Sequence, residues 1–167
     1  DFPDLSDRSK YTLYQVVDPA GARNYTSLWA GVTGSMSDTT IYIRREWPDL
    51  ETYGPWAVRG DPNWKFGEAS KKLGYNVEGY CELFKGIEED IGAKAFERIG
   101  DSRFFAAENA DNADLFTLFS EHEFHFVPSL GVKEEQGLTA LDDWFYYNPN
   151  LPIDGANSPR VFIHESC

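Results

Sequence analysis

Three runs of β-branched and aromatic residues, separated by short turn-forming segments, constrain this chain more than anything else in it. Residues 11–18 read YTLYQVVD, the pattern of a buried strand, and Pro19-Ala20-Gly21 stops it. Residues 25–32 (YTSLWAGV) form the second run. Gly34-Ser35-Met36-Ser37-Asp38 supplies turn chemistry, and residues 39–47 (TTIYIRREW) form the third, with Ile41 and Ile43 alternating against Tyr42 and Arg44. Connections this short leave little room for a crossover, so the three are expected to pair as an antiparallel meander.

Beyond Trp47 the character of the chain changes. Residues 48–67 (PDLETYGPWAVRGDPNWKFG) are rich in Gly, Pro and Trp and read as an irregular but ordered excursion. A helix is expected over about 68–90, interrupted in propensity by Gly74, Gly79 and Gly86. Residues 94–99 (KAFERI) read as a fourth strand. Residues 111–120 read as a short amphipathic helix with Leu115, Phe116, Leu118 and Phe119 on or near its buried stripe. A fifth strand at 123–128 (EFHFVP) is followed by a helix at 132–147, with Leu138, Leu141, Trp144 and Phe145 at helical spacing. A sixth strand at 160–164 (RVFIH) completes the order. A meander followed by alternating helices and strands implies an α/β fold built on a mixed sheet with helices on its faces. The 167 residues fit one domain, spanning 1–167, with a sizeable core.

The net charge of −13 argues against a chain that holds nucleic acid by itself, because affinity for nucleic acid comes largely from neutralising phosphates. Either the chain does not bind DNA, or a basic partner or neighbouring domain does the holding; the acids also have a plain reading as a soluble surface. No run of roughly 18 apolar residues exists to span a membrane, and residues 1–8 lack the pattern of a signal peptide. Cys81 and Cys167 are the only cysteines, and a reducing, intracellular setting is the simpler reading of them.

Chemistry concentrates at strand ends. Asp18 closes the first strand and Asp101 comes just after the fourth. In a mixed sheet the first meander strand commonly lies beside the strand after the first helix, which would bring these two carboxylates together. Paired carboxylates bind hard, oxygen-preferring ions such as Mg²⁺ or Mn²⁺, and two ions about 4 Å apart can support phosphodiester cleavage. Each acid also has a plain reading: Asp18 as a turn starter before Pro-Ala-Gly, Asp101 as a cap. Glu46, at the end of the third strand, either faces the same site or pairs with an arginine. Arg23, Arg44, Arg45 and Arg103 either touch phosphates or balance nearby acids. His122 and His125 lie on a strand-like stretch that points them to opposite faces, which does not suit a zinc site. His164 reads as structural and Asp142-Asp143 as a solvated helix face.

Several stretches together, in order, resemble the nuclease domain of tailed-bacteriophage terminase large subunits. They are VVDPAGARNYTSLWAGV (16–32), IYIRREWPD (41–49), FERIGDSR (96–103), FHFVPSLGVKEEQGLTALDDWFYYNP (124–149) and SPRVFIHESC (158–167). The resemblance implies a ribonuclease H-like fold and a metal-dependent endonuclease that cleaves double-stranded DNA during viral DNA packaging. It implies a two-metal Mg²⁺ or Mn²⁺ site in which Asp18 and Asp101 match the acids of the first and fourth strands. Asn24 stands where the family often carries a further acid. The family's last acid would lie beyond the strand matched by RVFIH, so the domain is expected to be incomplete at its C-terminus. No G-x-x-x-x-G-K-[ST] phosphate loop is present, so the ATPase domain is expected N-terminal to Asp1. The implied partners are that ATPase domain, the small terminase subunit and the portal, in the cytoplasm of an infected bacterium. Two alternatives stand beside this: a truncated or inactive domain with a structural or interaction role, and another ribonuclease H-like nuclease of resolvase or transposase type.

Overall fold

A computed structural model describes residues 2–19, 25–34, 39–49, 76–101, 117–129 and 134–167. The meander is present as β1 (Thr12–Pro19), β2 (Tyr25–Thr33) and β3 (Thr40–Trp47), paired antiparallel in that order. Helix α1 (Val77–Ile91) then leads to β4 (Glu97–Gly100), which lies parallel to β1 on the side away from β2. β5 (Phe126–Pro128) adds parallel to β4, and β6 (Val161–Ile163), after helix α2 (Glu134–Phe145), adds parallel to β3. The result is one mixed six-stranded sheet in the order β5-β4-β1-β2-β3-β6. The α/β class and the mixed sheet read from the sequence are thus what the chain adopts.

Alternation along the strands decides which face is covered. Leu13, Gln15 and Val17 of β1 and Tyr25, Ser27 and Trp29 of β2 are buried, while Val16, Asp18 and Leu28 between them are exposed. The buried set meets α1, whose Tyr80, Phe84, Ile87 and Ile91 recur at helical spacing on one side. Trp29 and Phe84 are both 0% exposed and meet edge to face, 5.5 Å between ring centroids. Tyr25 meets Tyr80 at 4.5 Å, and Phe119 fills the space beside Tyr25 at 5.6 Å. Burying each such ring stabilises the fold by about 1.5–3 kcal/mol. This stripe explains why α1 continues through Gly79 and Gly86, whose weak propensity is outweighed by packing.

Both ends of α1 are capped. The Asn76 side chain accepts a hydrogen bond from the Gly79 N–H at 2.8 Å. Gly92, at φ 77°, closes the other end in the left-handed conformation. That stop delays the next strand, which begins at Glu97 and not at Lys94 as the residue pattern predicts. The N-terminal segment folds back so that Leu5, itself buried, lies over Gly31 of β2.

The second helix differs from the sequence reading. It is formed, but Leu138, Leu141 and Phe145 remain 56%, 52% and 54% exposed, so the apolar stripe is not covered by the described residues. Helical conformation at 117–121 carries Phe119 inward and leaves Leu118 exposed. The excursion from residue 50, the first turns of the helices expected from 68 and 111, and Leu115 and Phe116 lie outside the described residues. Among the described residues no helix is long and apolar enough to cross a membrane. Cys81 is buried and Cys167 half-buried, both as free thiols; burial pushes the Cys81 thiol up to about 11.

Candidate functional site

The parallel pairing of β1 and β4 aligns Val17 with Gly100. The residue after each of these is Asp18, still in β1, and Asp101, just past the end of β4, so the two acids follow an aligned pair on neighbouring strands, whose axes stand about 4.8 Å apart. Pro19 cannot donate to the ladder, which lets β1 end here. On its other side Asp18 is aligned with Thr26 of β2, whose hydroxyl donates to the Asp18 carbonyl oxygen at 3.3 Å. Ser129 N–H donates to the Gly100 carbonyl at 2.7 Å and holds the exit of β5 against the end of β4.

Glu46 reaches the same place from β3. It is aligned with Leu28, and Leu28 with Val16, so the three share the face of the sheet opposite α1, to which Asp18 also belongs. A groove of about 360 Å³ opens there, with Val16, Leu28, Trp47 and Pro48 as apolar walls and Asp18, Thr26 and Glu46 as polar ones. Partial burial, and secondarily the charge of Asp49, push the Glu46 carboxyl above the usual carboxylate range. Among the described residues the arginine pairing open to Glu46 in the sequence is not formed. Arg45, aligned with Trp29 on the opposite face, bonds Asp49 at 3.1 Å, and among the described residues no cation pairs with Glu46. Arg44 is the extra residue where the β2–β3 register shifts.

The structure therefore places Asp18 and Glu46 in one groove and Asp18 and Asp101 at adjacent strand ends. Asn24, Arg23 and Arg103 lie outside the described residues. Among the described residues no group of three or more His, Cys, Asp or Glu is gathered closely enough to hold a metal ion. What is present is an all-oxygen donor set beside an apolar-walled groove, which suits Mg²⁺ or Mn²⁺ in kind while offering fewer ligands than a closed site. His122 occupies a turn before β5 and His125 is exposed. The His164 ring bonds Ser166 Oγ at 2.8 Å and packs on Phe2 at 4.9 Å, a structural role. Asp142 and Asp143 are exposed on α2, as a solvated face requires.

One set of polar residues went unread in the sequence. Three residues before the two acids, on the covered face, Arg98 of β4 bonds Glu88 of α1 and Gln15 of β1. Gln15 sits in an apolar run and Arg98 in an ordinary strand, so nothing local marks them; only the pairing of β1 with β4 brings them together.

The fold and site define an α/β protein with a mixed sheet and strand-end carboxylates. No family model matches the chain, and no characterised protein matches its sequence.

Proposed function

We propose that this chain is a ribonuclease H-like nuclease domain of the terminase type, acting on double-stranded DNA. The observation that carries the reading is the placement of Asp18 and Asp101 one residue past an aligned pair on parallel neighbouring strands. The meander with β4 and β5 added beside β1 is the layout expected of a ribonuclease H-like sheet, and the ordered stretches that resemble terminase nuclease domains point the same way.

Asp18 and Asp101 are the residues that would hold Mg²⁺ or Mn²⁺. Bound there, such ions would activate a water and stabilise the leaving oxygen of a phosphodiester. The chain's own residues supply the rest. The strand ends fix two carboxylates in space before any ligand arrives, which spares the entropy of gathering them. Val16, Leu28 and Trp47 limit water on one side of Asp18. Glu46, whose carboxyl holds its proton to higher pH than usual, stands in the same groove as a further oxygen donor. In this reading an N-terminal ATPase domain, the small terminase subunit and the portal deliver the DNA, in the cytoplasm of an infected bacterium.

A second reading, a fold-competent domain with an incomplete acid set and an interaction role, is favoured by one observation: among the described residues Asp18, Asp101 and Glu46 are not gathered closely enough to form a three-ligand metal site. Mn²⁺ titration followed by electron paramagnetic resonance, together with a plasmid-nicking assay, separates the two. The nuclease reading expects Mn²⁺ binding and nicking that Asp18→Asn and Asp101→Asn both abolish. Binding without nicking supports the second reading. Nicking that survives both substitutions, or no binding at millimolar Mn²⁺, overturns the site.

A further inference from the structure

β4 is four residues long, and only alternate ones face α1. On that covered side it presents Arg98 and Gly100, aligned with Gln15 and Val17 of β1. No apolar side chain of β4 thus specifies its register from the core side. What does occupy the core is a chain of polar groups crossing four elements. Arg98 makes a two-pronged bond to Glu88 of α1, its Nη2 donating to Oε2 at 3.0 Å and its Nη1 to Oε1. The same Nη1 donates to Gln15 Oε1 at 2.6 Å. Gln15 Nε2 donates to Ser27 Oγ of β2 at 3.0 Å, and that hydroxyl donates to the Val16 carbonyl at 3.2 Å. Gln15 is 0% and Glu88 4% exposed, and the guanidinium lies 4.3 Å over the Phe124 ring.

Such a network is a poor way to gain stability, because desolvating the charges offsets most of their attraction; its best-attested use is to select one arrangement over others. The competing arrangement here is a slip of β4 by one residue. That slip would turn Arg98 to the open face, strand Glu88 and Gln15 in the core, and move Asp101 off the face it shares with Asp18. We propose that Arg98, clamped by Glu88 and Gln15, is a positioning residue that locks the register of β4 against β1 and thereby holds Asp101 beside Asp18. Its metal consequence rests on the reading of those acids as a metal pair; its structural consequence does not.

The test replaces the ion pair by apolar residues of similar volume, Arg98→Met with Glu88→Leu. Three measurements are made: the unfolding midpoint, the backbone nuclear Overhauser contacts between Val17 and Gly100, and the Mn²⁺ affinity. The expected result is a folded protein as stable as the parent or more so, in which the Val17–Gly100 contacts are lost or doubled and Mn²⁺ binds at least tenfold more weakly. A purely structural pair would instead change the midpoint and leave affinity and contacts alone. Unaltered Val17–Gly100 contacts in a single form, with unaltered affinity, overturn the proposal. Should the double variant not fold, Arg98→Lys keeps the charge opposite Glu88 while losing the fork that also reaches Gln15, and is read the same way. If the parent protein itself binds no Mn²⁺, the metal-pair reading falls, and the register contacts alone decide this one.

Discussion

Gly31 shows how a single position ties the N-terminal segment to the sheet. A Cβ there would stand 2.7 and 2.9 Å from the two methyls of Leu5, which is buried and has little room to turn. Gly31→Ala is expected to lower stability by about 1–3 kcal/mol in urea denaturation. Adding Leu5→Ala should recover part of that loss, so the two effects combine to less than their sum. At Glu46 the same scale of argument concerns charge. Its carboxyl is held above its ordinary value by burial first and Asp49 second, so folding favours the protonated form. A raised folded value means the associated stability is present in full at low pH and is lost as pH rises through it. Glu46→Gln should therefore flatten the midpoint-versus-pH curve above pH 4.5 and raise the midpoint near neutrality; a curve that keeps its shape would count against a partly buried carboxylate in the groove. Asp18 and Asp101 could be picked from the sequence because strand ends are visible as the stops of apolar runs. Glu88, Gln15 and Arg98 could not, because their meaning exists only across three elements.

The elements themselves obey local rules where local rules suffice. The meander was legible since each strand is a run rich in β-branched and aromatic residues, with turn-forming residues between the runs. The partnership of β1 with β4 was legible from strand order, though β4 starts later than its sequence pattern because the left-handed Gly92 and the Ala93 N–H bonded to the Glu88 carbonyl still belong to the end of α1. Helix α2 was legible as a helix but not in its packing: periodicity shows that a stripe exists and not what covers it. For α1 the caps carry a direct prediction. Asn76→Ala removes the acceptor for the Gly79 N–H and should lower stability by about 1 kcal/mol. Gly92→Ala forces a side chain into φ 77° with Ser6 Cβ 3.2 Å away, which should lower it by about 1–2 kcal/mol. Circular dichroism during urea titration measures both, and a neutral Gly92→Ala would mean that the turn has relaxed.

Charge is a property of the whole molecule, and in the proposed nuclease it would separate gripping DNA from cutting it. A net charge of −13 opposes a phosphate backbone on average, with 28 acidic residues against 15 Lys and Arg. The proposed metal binding would meet no such barrier, since a negative field attracts divalent cations. The isolated protein should therefore show Mn²⁺ binding that weakens with added salt, while a fluorescent duplex, followed by anisotropy at about 150 mM salt, shows no affinity tighter than roughly 10⁻⁴ M, at or beyond the weak end of nonspecific DNA binding. Micromolar duplex binding with a steep salt slope would contradict a domain that depends on a basic partner. If that dependence is real, a Lys-rich tail joined to the chain substitutes for the partner by raising the local concentration of DNA. The tailed protein should nick plasmid faster than the parent with its Mn²⁺ affinity unaltered and its dependence on Asp18 intact.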